Sequence, residues 1–345
     1  MAKPILLCDT KSMDRTRWLE CRAHGPKGDI EYTVGGSDVA AIFGISPWVT
    51  PLELWKQKKG FLKPSVINED QKEMGHMMEP IAAFWYAKKT GNIVTDDTGL
   101  YQHADYPYAL ANFDRRFTEP SGINGILECK STTYHKASEW YDGAIPMYYE
   151  FQLRFYLAVA DVEVGDFACL WGNNPDNDLA KPRLTRDKSQ EDIIFEKLDR
   201  WIWSLKNDKE PTMADVDPKL ALESLARIYG GSKPSLPTIE FSKKYEHDLR
   251  SIARLQIENT EYQQCINQNE KEIETHSVKI AELMKEHERG VLETTDDKLL
   301  IDFVTKITRR VNSDLLKKNH PVVYQECLKP SESRKLKVKI EPIAV

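Results

Sequence analysis

The feature that most constrains this chain is the run Ile123–Thr132. It is apolar and β-prone, opens on Ser121-Gly122, contains Asn124-Gly125 and ends in Glu128-Cys129-Lys130. Such a run reads as a hairpin feeding a strand. Side chains alternate along a strand, so Glu128 and Lys130 share one face and Cys129 takes the other. Asp114 stands fourteen residues before Glu128, after the short apolar run Leu110-Ala111-Asn112-Phe113, which forms the paired strand or its end. Mg²⁺ takes hard oxygen ligands, few carboxylates and several waters. Asp114, Glu128 and the backbone carbonyl of Cys129 fit that pattern. Lys130 beside the ion would orient or deprotonate water, or stabilise charge on a phosphorus centre. The alternative is a surface Glu-Lys pair on a half-exposed strand.

Flanking segments give a coarse organisation. Gly35-Gly36 precedes Ser37 as N-cap of a helix from Asp38 to Phe43, stopped near Gly44. Thr50-Pro51-Leu52-Glu53 is a capping box that starts a helix running to about Lys59. A long helix spans about Asn68 to Thr90, with Pro80 predicted to kink or interrupt it at Glu79. Strands are expected at Ile93–Thr95, Tyr108–Asp114, Ile123–Thr132 and Val162–Trp171. Helices are expected at Pro146–Ala160 and Asp187–Lys206, the latter with Ile194, Leu198, Trp201 and Leu205 on one face. Helices, then a central sheet, then helices predict an α/β domain over residues 1–215.

The rest of the chain changes character. Residues 216–237 read as a linker holding a short helix, Lys219–Tyr229. Residues 238–290 read as one long polar helix closed by Gly290, with Ile252, Leu255, Tyr262, Ile266, Ile273, Ile280 and Leu283 on a seven-residue repeat. Asn259, Asn269 and His276 interrupt that seam. It serves either a coiled coil or helical hairpin for assembly, or packing on its own domain. Residues 291–345 look like a small β-α-β module, from Lys298–Val311, a helix near Asp314–Leu328, and Arg334–Ile343.

Composition excludes several classes. Mean hydropathy is -0.54 and 41% of residues are hydrophobic. No apolar run approaches a membrane span and no signal-peptide core begins the chain. Six scattered cysteines give no zinc or disulfide framework, so a reducing cytoplasm is expected. The net charge of -6 sits poorly with nucleic-acid binding unless a basic cleft coexists with an acidic exterior.

The Asp…Glu-x-Lys set resembles the core of the PD-(D/E)XK nucleases. More closely, residues 15 to 175 resemble the YqaJ-like viral recombinase family, relatives of the lambda-type exonuclease. The blocks that carry this are Gly35–Gly44 with Ser46-Pro47-Trp48, Met74-Gly75 through Glu79-Pro80, Ala111–Asp114, Leu127–Thr132, and Gln152 ahead of Tyr156–Val159. The resemblance implies a nuclease core with a central mixed sheet flanked by helices. It implies that Glu79 assists the metal site and that Gln152, on a helix face with Tyr148, Tyr149, Phe155 and Tyr156, reaches the reaction centre. It further implies a pocket for a DNA 5′-phosphate at Arg22, Ser37 and Lys136 with Asn112. Lys136 replaces the family's arginine, Asn112 replaces a serine, and His24–Gly28 is inserted after Arg22.

The activity implied is a Mg²⁺-dependent (or Mn²⁺-dependent) 5′-to-3′ exonuclease on double-stranded DNA ends, serving recombination. A homo-oligomeric ring and a single-strand annealing partner are implied with it. The alternatives are a structure-specific or restriction-type endonuclease, or a non-catalytic DNA-end binding protein.

Overall fold

The computed structural model describes residues 3–64, 69–328 and 336–338. The chain forms two compact units, Met1–Gly230 and Gly231–Val345. The first unit begins with β1 (Ile5–Asp9) and α1 (Arg15–His24), neither of which the sequence pattern announced. Asp14 caps α1 by accepting from the Arg17 N–H. Then come α2 (Gly36–Ile42), α3 (Pro51–Lys58) and α4 (Glu69–Thr90). Next are β2 (Ile93–Asp96), β3 (Gly99–Gln102), β4 (Leu110–Ala111), β5 (Arg115–Thr118) and β6 (Asn124–Ser131). After a 3-10 segment at Tyr134–Gly143 come α5 (Met147–Ala160), β7 (Val164–Leu170), β8 (Leu179–Ala180) and β9 (Arg183–Thr185). The unit closes with α6 (Lys188–Lys206) and α7 (Pro218–Tyr229).

The central sheet has six strands in the order β2-β5-β6-β7-β8, with β9 also pairing β7. It is mixed. β6 and β7 run parallel and the other pairs antiparallel. A parallel pair needs a crossover, and α5 supplies it. Leu127, Cys129, Ala168 and Leu170 face α4 through Ala82, Ala83 and Tyr86. Ile126, Phe167 and Cys169 face the other way, into the core built with α2, α3, α5 and α6. Gly165 lets α5 approach β7 closely, since a Cβ there would lie 2.9 Å from Leu153 Cδ1. This is the mixed α/β core, sheet flanked by helices, that the sequence motifs imply. A second, antiparallel sheet, β1-β3-β4, packs Leu100 and Leu110 against Cys21 of α1.

Several boundaries differ from expectation. The N-cap of α2 is Gly35 and not Ser37, which sits exposed in the first turn. Asp38 takes the capping role, its carboxylate accepting from the Gly35 N–H at 3.0 Å. α4 runs unbroken past Pro80, at the loss of one hydrogen bond to the His76 carbonyl. The expected strand Tyr108–Asp114 shrinks to β4, and β5 starts after Asp114. Arg115 and Arg116 hid β5, because an edge-side strand can carry arginines paired to Asp96 and Asp97.

The segment expected as a linker contains α7, which packs on α3. Thr50 caps α3, and its hydroxyl also shares a buried hydrogen bond of 2.7 Å with Ser224. Glu53, buried in α3, does not close the expected capping box. Its carboxylate accepts two bonds from Arg227, at 3.1 and 2.8 Å. The first compact unit therefore runs through α7.

The second unit is described by itself. α8 (Glu246–Met284) follows a 3-10 turn at Lys243–Tyr245 and ends at Lys285, before Gly290. Its seam residues Leu255, Tyr262, Ile266, Ile273, Ile280 and Leu283 are all exposed. The hairpin β10 (Arg289–Glu293) and β11 (Lys298–Asp302) precedes α9 (Ser313–Asn319) and α10 (Pro321–Cys327). Gly290 lies in β10. The final strand expected over Arg334–Ile343 lies almost wholly outside the described residues.

The α3–α7 contact yields a prediction. Arg227→Ala leaves the Glu53 carboxylate buried without its partner and should cost about 3 kcal/mol. Arg200→Ala breaks an exposed pair with Glu196 and should cost less than about 1 kcal/mol. Urea unfolding of the full chain followed by tryptophan fluorescence distinguishes the two. Equal midpoints would contradict this account.

Candidate active site

β6 carries the centre of the site. Its pairing places Glu128 opposite Phe167 and Lys130 opposite Cys169 of β7. Glu128 and Lys130 point to the α5 side, as alternation requires, while the Cys129 thiol faces α4. Glu128 is 1% exposed. Its Oε1 accepts from Lys130 Nζ at 2.6 Å and from Gln152 Nε2 at 2.7 Å. Its Oε2 is buried and has no hydrogen-bond partner.

Asp114 lies half-buried immediately before β5, which pairs with β6. Its Oδ2 accepts from the Cys129 N–H at 2.8 Å. This bond ties Asp114 to the β6 backbone between Glu128 and Cys129. Glu79 comes from α4, at the Pro80 turn, and accepts from or pairs with His76 Nδ1 at 3.1 Å.

Electrostatics tie the three acids together. Burial raises the Glu128 carboxyl to about 8, and Asp114 and Glu79 push in the same direction against Lys130. Burial and Asp114 also raise Glu79, against His76 and Lys130. Burial alone would lower Lys130, but Glu128 and Asp114 outweigh it and hold the ammonium charged. The cluster is therefore short of positive charge. Among the described residues, no three or more His, Cys, Asp or Glu side chains form a ready-made metal cage. Mg²⁺ asks for less: one or two carboxylates, with waters completing its shell. The unpartnered Glu128 oxygen, Asp114 and the Cys129 carbonyl fit that demand as hard oxygen donors, with Glu79 in reserve.

α5 positions the rest. Gln152 also donates to the Tyr156 hydroxyl at 3.1 Å. Tyr149 places its ring 5.0 Å from Lys130 Nζ. Tyr149, Gln152 and Tyr156 follow one helix face at spacings of three and four, the sequence signal that links them. Tyr156 packs directly beneath α2, and a Cβ at Gly36 would lie 2.4 Å from its ring. Glycine is required there for that contact.

The expected phosphate residues are only partly assembled. The Arg22 guanidinium lies against Gly35, where a Cβ would meet Nη2 at 2.8 Å, and stacks 4.7 Å from the Trp18 ring centroid. Ser37 is exposed in the first turn of α2. Asp38 occupies the same end; burial would raise it, but Lys58, the Gly35 N–H and Arg22 hold its carboxyl low. Lys58 and Asp38 are additions that the motif did not indicate. Asn112 donates to the Gly99 carbonyl at 2.8 Å, and its buried Oδ1 has no partner. Lys136 is exposed on the 3-10 segment, and no hydrogen bond among the described residues joins it to Arg22 or Ser37.

Residues 17–163 match the model of the YqaJ-like viral recombinase domain. This part of the chain is similar to that domain. Over 337 residues, 97% of each chain, the protein is 26% identical to the uncharacterized protein YqaJ of Bacillus subtilis (strain 168). That similarity spans both units. Among solved structures, LHK-Exo in complex with dAMP is 20% identical, with a TM-score of 0.46 over 56% of this chain and 94% of that one. The alkaline exonuclease LHK-Exo from Laribacter hongkongensis is 22% identical, with a TM-score of 0.42 over 52% and 90%.

The raised Glu128 carboxyl sets a pH dependence. Its folded value lies above its unfolded value of 4.5. Its contribution to stability is therefore full below about pH 4.5 and is lost as pH rises through about 8. With metal chelated, Glu128→Gln should match the unmodified chain near pH 5 and exceed its unfolding temperature near pH 8. A variant less stable at pH 8 than at pH 5, relative to the unmodified chain, would refute this.

Proposed function

We propose that this protein is a divalent-metal-dependent deoxyribonuclease acting on the ends of linear double-stranded DNA. The observation that carries the reading is the buried Glu128 carboxylate. One of its oxygens is fixed by Lys130 and Gln152, the other is unpartnered, and the Asp114 charge acts on the same carboxyl. The large majority of buried side-chain polar atoms are hydrogen-bonded. The domain match and the alkaline exonucleases among similar structures agree with this reading.

Asp114, Glu128, the Cys129 carbonyl and Glu79 would hold Mg²⁺, or Mn²⁺ in its place. A bound divalent cation supplies Lewis-acid polarisation of the phosphate and lowers the pKa of water. The protein's own groups do the rest. Lys130, charged and held by Glu128, stabilises the negative charge that gathers on the phosphoryl oxygens. Gln152 and Tyr156 fix the Glu128 rotamer. Arg22 and the exposed first turn of α2, with Ser37, receive a terminal 5′-phosphate, and Asn112 and Lys136 complete that pocket if DNA draws them in. Cleavage then runs 5′ to 3′ and leaves single strand for recombination. No helix among the described residues is long and apolar enough to cross a membrane.

The second unit serves assembly in this reading. The exposed seam of α8 repeats every seven residues and suits a helix of another copy or of a single-strand annealing protein. A homo-oligomeric ring around DNA fits such a device.

Two measurements check the proposal. Asp114→Asn, Glu128→Gln and Lys130→Ala should each lower duplex cleavage by on the order of a thousandfold or more while the chain stays folded. A folded Glu128→Gln chain with near-normal turnover refutes the site. The unmodified protein should degrade linear duplex but spare covalently closed circles, and should prefer a 5′-phosphate to a 5′-hydroxyl by on the order of tenfold. Cleavage of closed circles at the linear rate would favour the endonuclease alternative.

A further inference from the structure

An aromatic group borders the acidic site and is unused by the chemistry above. Trp48 is 53% exposed. Its backbone is pinned by a tight turn, in which the Trp48 and Val49 N–H groups donate to Ser46 Oγ at 3.3 Å. Its ring meets Tyr148 edge-on at 5.1 Å and approaches Tyr149 at 6.3 Å. Tyr148 and Tyr149 are 4.5 Å apart, and the Tyr148 hydroxyl donates to Glu139 at 3.0 Å. Tyr149 in turn carries Lys130 over its ring at 5.0 Å. The aromatic surface is thus continuous with the group that bonds Glu128.

Burial does not explain this arrangement. Half of the largest side chain in the set is open to solvent, while its backbone and supporting rings are fixed. A rigid, half-exposed indole, joined through the Tyr149 ring to a cationic lysine, suits a nucleobase. The ring offers a π-face to any base, and the lysine draws the adjoining phosphate.

We propose that Trp48, braced by Tyr148 and Tyr149, is a stacking surface for a terminal nucleobase of the DNA strand engaged at Lys130. This rests on the nuclease reading and deepens it. The surface binds without regard to base identity, because stacking uses the π-face and not the hydrogen-bonding edge. Tyr148 and Tyr149 are positioning residues, and Trp48 is the contact.

The test uses the full chain and blunt, 5′-phosphorylated duplexes with Mg²⁺. In separate duplexes, each strand end carries either an intact terminal nucleotide or an abasic one. The unmodified protein should show a KM for the intact end lower than for the abasic end by on the order of tenfold. Trp48→Ala should bring that ratio to about one, mainly by raising KM on the intact end with kcat little changed. Trp48→Phe should restore most of the preference. Trp48→Ala with the unmodified ratio overturns the stacking surface and leaves a protein-contact role for the patch. Failure of the unmodified chain to cut any duplex, with Mg²⁺ or Mn²⁺, overturns the nuclease reading itself and this inference with it.

Discussion

The Glu128 side chain is the point on which the functional unit turns. Three groups converge on it: Lys130 from the same strand, Gln152 from α5, and Asp114 through the Cys129 peptide from immediately before β5. Burying a carboxylate costs several kcal/mol unless it is compensated. Here compensation is incomplete by design of the packing: Oε1 is doubly bonded and Oε2 is left free. The parallel β6–β7 pair and its α5 crossover bring Gln152 over Glu128. The same helix then presses Tyr156 under Gly36, so the start of α2 is set by the element that orients the acid.

Much of this was legible in the sequence, for physical reasons. The alternation of a strand fixes Glu128 and Lys130 on one face, whatever the fold. The helical spacing of Tyr149, Gln152 and Tyr156 puts them on one side of α5. The capped and amphipathic helices α3 and α6 appear nearly as their residues indicate, with Ile194, Leu198, Trp201 and Leu205 all buried. What sequence could not reach was pairing at a distance. Glu53 reads as half of a capping box because Thr50 stands three residues before it, yet it bonds Arg227 far along the chain. β5 was obscured by its arginines, and Ser37 looked like a cap because side-chain caps are commoner than a glycine with an Asp38 bond behind it. The contribution of Glu79 depends on how α4 lies against the sheet, which no local pattern states.

The two units obey different physics. The first buries large residues on both faces of its sheet. The second presents α8 with an apolar seam open over most of its length, interrupted by Asn259, Asn269 and His276. Polar residues at seam positions lower stability and select a register or a partner. Similarity to the Bacillus subtilis protein covers this unit as well as the first, so the seam belongs to the same chain architecture as the acidic site.

The central claim is that the free oxygen of Glu128 and its neighbours form a cation site. Crystals of the full chain with a short duplex and Mn²⁺, measured for anomalous scattering at the manganese edge, test it most directly. The account predicts a peak within coordination distance of Glu128 Oε2, Asp114 and the Cys129 carbonyl oxygen. A DNA-bound, Mn²⁺-saturated crystal with manganese elsewhere, and with Glu128 still held only by Lys130 and Gln152, would contradict it.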